Sequence, residues 1–169
     1  VNQIEIFRRA STLSKHRSKL EDVVIEKLER LGVSYVYEPA PLLFFIPERK
    51  ALYIPDLILS NGILVEIKGL FKASDRKKTL LVKELYPDLD LRFVFKNSKT
   101  KISPKSKVTY GQWANDHGFL YADKEIPSTW LEEEVNHKSI ETFFKAIADT
   151  QKGLENKQRL EEFYKNHAP

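Results

Sequence analysis

The chain has no cysteine, which removes both a disulfide framework and a thiolate zinc site from consideration. That absence suits a cytosolic protein; no apolar run approaches the roughly 18 residues of a membrane span, and no secretory signal is visible. Internal repeats and low-complexity tracts are also missing. Its four histidines, His16, His117, His137 and His167, are scattered without metal-ligand spacing. Any metal should therefore be a hard cation held by oxygen. What is present is 169 residues with 41% apolar content, enough for one ordinary domain with a real core and too apolar for disorder.

The net charge of +4 is unevenly spread. Residues 67–110 hold twelve Lys/Arg against four Asp/Glu, residues 111–169 hold seven against eleven, and residues 1–66 balance. A basic block of this kind is either a solvated face or a surface for a polyanion.

The first fifteen or so residues read as an arm. Ser18-Lys19-Leu20-Glu21 is a capping-box pattern that predicts a helix over 19–31, with Leu20, Val23, Val24, Leu28 and Leu31 inward and Gly32 at its end. Val33–Glu38 and Leu42–Ile46 read as strands, with Pro47-Glu48-Arg49-Lys50 as a polar connector. Leu52–Leu59 and Ile63–Leu70 read as a hairpin around Ser60-Asn61-Gly62. A helix from Ala73-Ser74-Asp75 with Leu80, Leu81 and Leu85 inward is stopped by Pro87. Leu89–Phe95 then has the pattern of a buried strand parallel to one hairpin strand. A lysine-rich loop over 97–108, a helix over 109–117 with Trp113 inward, an extended piece at 119–122 and a helical turn from Pro127 follow. From Asn136 the chain reads as one or two amphipathic helices, which could pack on the core, pair with a second chain or dock a partner.

Within the hairpin, Ile54-Pro55-Asp56 and Val65-Glu66-Ile67-Lys68 carry two acids and a base. Alternation places Glu66 and Lys68 on one face of their strand and brings Asp56, on the neighbouring strand, beside Glu66. Hydrolysis of a phosphodiester needs an activated water and neutralisation of developing charge, which one or two Mg²⁺ ions held by carboxylates can supply. Asp56 and Glu66 are the primary candidate ligands, and the Ile67 backbone carbonyl is a further oxygen. Lys68 could orient water, stabilise the phosphate or act as a base. Each piece has a structural alternative, such as a solvent-facing Glu-x-Lys pair, but a hairpin otherwise buried has little reason to carry these groups apart from one another. Glu21 has two exclusive readings: the reciprocal half of the Ser18 capping box, or a further carboxylate ligand.

Several motifs together resemble the phage endonuclease I family of four-way (Holliday) junction resolvases. They are Leu20-Glu21-Asp22, Tyr53-x-Pro55-Asp56, Asn61-Gly62-Ile63, Val65-Glu66-x-Lys68-Gly69-Leu70, Asp75-Arg76-Lys77-Lys78, Pro87-x-Leu89-Asp90, Thr109-Tyr110-Gly111, Ala122-Asp123-Lys124 and Ile126-Pro127. The likeness runs in order from about Arg17 to Trp130. The longer, partly acidic tail is a departure from the family's short basic end.

The resemblance implies a restriction-endonuclease-like α/β fold, with a mixed central sheet flanked by helices, in a segment-swapped homodimer. It also implies Mg²⁺ or Mn²⁺, two ions per site, and catalytic residues at Glu21, Asp56, Glu66 and Lys68. Exchange of the first segments would set Glu21 of one chain beside Asp56, Glu66 and Lys68 of the other. The expected organisation is an arm over 1–16, a nuclease domain over 17–135 and a helical extension over 136–169. Within the nuclease domain the swapped segment spans about 17–46 and the bridge about 47–51. Branched DNA, gripped through its phosphates, is the expected partner, with Arg17, Lys19, Arg76, Lys77, Lys78, Lys99 and Lys101 as the candidate contacts. A membrane is not expected; the host cytoplasm is, if the gene belongs to a phage. A further partner could dock on the extension. The competing functions are a sequence-directed or transposon-end nuclease of the same fold and a DNA-binding module without turnover.

Overall fold

The computed structural model describes residues 18–46 and 49–167. The N-terminal arm, Arg17 and the Pro47-Glu48 part of the expected bridge lie outside the described residues. In chain order the elements are α1 (Lys19–Arg30), β1 (Tyr35–Tyr37), β2 (Leu42–Ile46), β3 (Arg49–Tyr53), β4 (Leu57–Leu59), β5 (Ile63–Lys68) and α2 (Ala73–Leu85). They continue with β6 (Asp90–Phe95), α3 (Tyr110–Asp116), β7 (Tyr121–Asp123), α4 (Ser128–Leu131), α5 (His137–Ala148) and α6 (Gln151–His167).

A mixed sheet runs in the order β1-β4-β5-β6-β7, antiparallel from β1 to β5 and parallel from β5 to β7. The parallel β5–β6 pair follows from the crossover through α2. Alternation splits the strands' apolar residues between two faces. On one face Leu57, Leu59, Ile63, Val65 and Ile67 pack with Val24, Ile25 and Leu28 of α1 and Trp130 of α4. On the other, Ile58, Leu64, Phe93 and Phe95 pack with Phe71, Val82 of α2 and Trp113 of α3. The same cluster takes in Leu42, Phe44 and Tyr53 of the separate β2–β3 sheet and Phe143, Ile147, Leu160 and Phe163 of α5 and α6. The result is a central mixed sheet flanked by helices.

Several local expectations are corrected. The inward stripe of α1 is Glu21, Val24, Ile25 and Leu28, while Val23 and Leu31 are exposed, because the buried side of the helix includes a carboxylate. The expected strand Leu52–Leu59 breaks at Ile54-Pro55-Asp56, where proline has no N–H for a ladder. Its first part joins β2 and only Leu57–Leu59 enters the main sheet. Strand β3 already begins at Arg49, inside the expected connector. In α2 Leu80 and Leu81 are partly buried against the core as expected, but Leu85 is exposed and the fully buried positions are Thr79 and Val82.

The tail is fastened to the hairpin turn. Asn136 N–H donates to Asn61 O at 2.8 Å, and Ser139 Oγ donates to Gly62 O at 2.7 Å. Gly62 has φ +86°, and a Cβ there would lie 2.8 Å from Asn136 O, so this turn admits glycine alone. Gly153 lies within the first turn of α6. A Cβ at that position would come within 1.9 Å of Ile147 O, so the α5–α6 corner closes only over a bare backbone.

Candidate active site

The β4–β5 ladder pairs Ile58 with Leu64 and Leu57 with Val65. One step further, the break at Pro55 leaves Asp56 alongside Glu66 without a continuing ladder. There the Ile67 N–H, which would otherwise lack a strand partner, donates to Asp56 Oδ2 at 2.7 Å. The backbone of β5 thus orients the Asp56 carboxylate.

Glu66, only 2% exposed, points to the opposite face from Ile67. Lys68 Nζ lies 2.6 Å from its Oε1, and the Tyr53 hydroxyl donates to its Oε2 at 2.5 Å. Tyr53 arrives from the two-stranded sheet as the last residue of β3. A fully buried tyrosine hydroxyl needs a partner, and Glu66 is the one it finds.

Glu21, 5% exposed, enters from α1. Its Oε1 accepts from Ser18 Oγ at 2.8 Å and its Oε2 from the Tyr37 hydroxyl at 2.7 Å. The Ser18 half of the capping box forms, with Glu21 N–H donating to Ser18 Oγ at 3.2 Å. The helix is therefore capped through the serine while the Glu21 carboxylate is held by two hydroxyls facing the sheet.

The electrostatics are those of an anion-rich site. Burial, then the Glu66 charge, push Asp56 from its ordinary 3.8 up to about 7. The Ile67 N–H and Lys68 act against this, and the Glu21 charge adds to it. That coupling sets Glu21 in the same electrostatic neighbourhood as Asp56 of its own chain. Burial pulls the Lys68 ammonium down, but attraction and hydrogen bonding to Glu66, then Asp56 and Asp75, outweigh it and the net direction is up. In the metal-free chain Lys68 is a positive charge held against Glu66. Tyr53 is pushed well above 10, by burial and then by Glu66. Among the described residues, no three acidic or imidazole groups converge as a ready-made metal cage.

A family model described as phage endonuclease I matches residues 4–151 of the chain. The chain is 45% identical over 117 residues to Endonuclease I of Escherichia phage T7, a match covering 69% of this chain and 78% of that protein. It is 46% identical over 117 residues to Endodeoxyribonuclease 1 of Enterobacteria phage T3, covering 69% and 77%. The chain belongs to the phage endonuclease I family. Both the acidic set and α5 fall within the family's span, whereas α6 begins at Gln151, where that span ends.

Within this family member the expected phosphate contacts take different positions. Lys19, Lys77, Lys99 and Lys101 are exposed. Lys78 lies over the Tyr53 ring, 5.2 Å from its centroid, and so borders the acidic set. Arg76 has a structural task, since its Nη1 donates to Phe71 O at 2.6 Å and lies 3.5 Å from Ile102 O, tying α2 to the lysine-rich loop. Arg17 lies outside the described residues.

Two site residues were missed from the sequence, Tyr53 and Tyr37. The available signal was chemical: a tyrosine within an apolar strand must direct its hydroxyl to a polar group, and the nearest such groups are the buried carboxylates.

Proposed function

We propose that this chain is a metal-dependent DNA endonuclease that resolves four-way junctions and other branched DNA by phosphodiester hydrolysis. The observation that carries the reading is the Asp56 carboxylate, oriented by the Ile67 N–H beside the buried Glu66–Lys68 pair. The names of the phage T7 and T3 relatives support an endonuclease acting on DNA.

The donor set suits a hard cation. Asp56 and Glu66 supply carboxylate oxygens, each with a spare lone pair beyond its present hydrogen bond. In an extended strand the N–H and C=O of one residue face the same side, so the Ile67 carbonyl turns toward Asp56 as well. Burial and then the Glu66 charge drive Asp56 up to about 7, and a divalent cation would favour its ionised form against both. Asp56, Glu66 and the Ile67 carbonyl would hold Mg²⁺ or Mn²⁺, with Glu21 as a further carboxylate. Such ions supply Lewis-acid stabilisation of the phosphate and a water of lowered pKa. The chain's own residues have separate tasks. Tyr53 locks the Glu66 rotamer, Ser18 and Tyr37 hold Glu21, and the Lys68 ammonium presents positive charge where the phosphate gains negative charge.

We further propose a restriction-endonuclease-like fold acting as a homodimer with exchanged N-terminal segments. Two linked sites match the two opposed cuts a junction requires. The β2–β3 register runs to Ile46 opposite Arg49, at the start of the expected bridge over about 47–51. Since Glu21 and Asp56 already couple within one chain, exchange would rebuild the same neighbourhood across two.

The deciding experiment offers a synthetic four-way junction and a linear duplex of the same sequence, each with Mg²⁺. Preferential cutting of the junction is expected. Equal cutting would point to a sequence-directed nuclease, and no cutting of either would leave a DNA-binding module. For the exchange, co-refolded mixtures of a Glu21→Gln and a Lys68→Gln protein should recover part of the activity, and no recovery would count against a shared site.

A further inference from the structure

Beyond the acidic set, the carboxyl ends of the three parallel strands open into a cleft of about 590 Å³. It is bordered by Gly69 after β5, by Lys96 and Lys99 after β6, and by Asp123 and Lys124 at the end of β7. We infer that this cleft seats backbone phosphates of the DNA strand being cut, next to the scissile one, on Lys96, Lys99 and Lys124. The inference rests on the nuclease reading and adds a phosphate subsite to it.

Four observations carry it. First, the cleft's charge is available to a ligand. All three lysines are exposed, and among the described residues none of the three ammonium groups is in an ion pair. The single acid of the lining is engaged elsewhere: Asp123 Oδ1 accepts from Ser98 N–H at 2.6 Å and Oδ2 from Ser98 Oγ at 2.9 Å.

Second, the cleft is fixed to the catalytic strand. Lys96 N–H donates to Lys68 O at 3.0 Å, and Lys124 N–H donates to Phe95 O at 2.7 Å. Lys96 and Lys124 therefore stand one and two strand spacings from the line of β5, roughly 5 and 10 Å. That reach suits neighbouring phosphates of one strand better than a distant arm.

Third, Lys124 has φ +67°, in the left-handed region where a side chain is disfavoured and glycine is at ease. A lysine kept in such a conformation marks a position where the side chain has a use. Fourth, the lining contains no aromatic ring to stack a base and no arginine fork to read one. Lysine point charges alone recognise phosphate without sequence.

The test measures binding of a four-way junction in chelator, by fluorescence anisotropy between 50 and 200 mM salt, and cleavage separately with Mg²⁺. The parent is compared with Lys96→Gln, Lys99→Gln and Lys124→Gln, singly and combined, and with Lys165→Gln in the last turn of α6 as a control. Each cleft variant should lower the salt slope by about one. The parent's affinity advantage over the combined variant should then shrink about 40-fold across that range. KM should rise with kcat little changed, because the contact is made equally before and during the reaction.

Lys124→Gly separates charge from folding. It should bind more weakly while melting no lower than the parent, and Lys124→Arg should restore the slope. A combined variant with the parental slope would overturn the cleft, whatever the cleavage assay gave. A lowered slope in a protein that cuts linear and branched DNA alike would support the cleft and overturn the junction preference instead.

Discussion

Asp56 sets function against stability in the metal-free protein. Unfolded, its carboxyl ionises at the ordinary 3.8; folded, it does so near 7. Between these values the folded chain keeps a proton that the unfolded chain releases, so stability falls as pH rises from about 4 through 7. The displacement corresponds to a loss of about 4 kcal/mol once both states are ionised. Asp56→Asn removes the charge and keeps an oxygen for the Ile67 N–H. It exchanges a charged acceptor for a neutral one, at a cost of about 1 kcal/mol. The variant should therefore exceed the parent by about 2–3 kcal/mol at pH 8, or roughly 5–10 °C in Tm, and by little or nothing at pH 4. Thermal and denaturant unfolding in chelator at the two pH values reads this directly. Adding Mg²⁺ should reverse the order, since ligand binding to the folded state stabilises the parent alone, and the variant should not cleave DNA. An equal gain at both pH values, or no gain at pH 8, would refute the electrostatic account of the site.

Tyr53→Phe strips the donor from Glu66 Oε2 and should lower metal-free stability by about 1–2 kcal/mol and cleavage by about 10- to 100-fold, partly rescued by raised Mn²⁺. Titrating cleavage against metal concentration checks this, and parental metal dependence would count against a supporting role. Lys68→Gln should cut kcat by at least about 100-fold and leave the acid limb of the pH–rate profile in place, because Lys68 stays protonated there; disappearance of that limb would restore the base role. Ser18→Ala should cost about 1 kcal/mol of stability and spare most cleavage, whereas Glu21→Gln should abolish cleavage at similar stability. If both lower stability alike and leave cleavage intact, Glu21 is only a cap. Gly153→Ala should lose about 2–4 kcal/mol and loosen α6, seen as a lower Tm and faster proteolysis of the tail, because its methyl would overlap Ile147 O.

Much of the candidate site was legible because its spacing follows backbone geometry. Two acids ten residues apart around an Asn-Gly turn, with a lysine two residues beyond the second, must meet if the segment is a hairpin. The parallel β6 strand and the stop at Pro87 were legible for similarly local reasons. The tyrosine partners were not, because Tyr53 reaches Glu66 from a different sheet and Tyr37 reaches Glu21 across an inter-element contact. The α1 stripe misled for the same reason. Hydropathy assigns Val23 and Leu31 inward, whereas the burial of Glu21 rests on the Ser18 and Tyr37 hydroxyls that hold its carboxylate. The break at Pro55 was visible as a residue without an N–H, yet which sheet each half would join depended on the packing of Leu42 and Phe44.

The broken strand also explains why the site lies where it does. A continuous partner for β5 would consume the Ile67 N–H and C=O in a ladder and leave the acids as an ordinary cross-strand pair. Because β4 begins only at Leu57, those groups face a carboxylate instead, on the side of β5 away from the intact parallel ladder to β6. The same strand therefore does two things along its two edges. On the β6 side it anchors a rigid parallel sheet whose strand ends carry the basic cleft. On the β4 side it opens a short gap in which acid, backbone and lysine converge. Restoring the strand should close that gap. Pro55→Val supplies an N–H and a β-forming side chain, so it should hold or raise stability while lowering cleavage and metal affinity together. Amide exchange at Ile67 offers a readout independent of activity, since its protection should rise if a strand carbonyl replaces Asp56 as its partner. Unchanged protection with unchanged cleavage would mean that the break is incidental to the site.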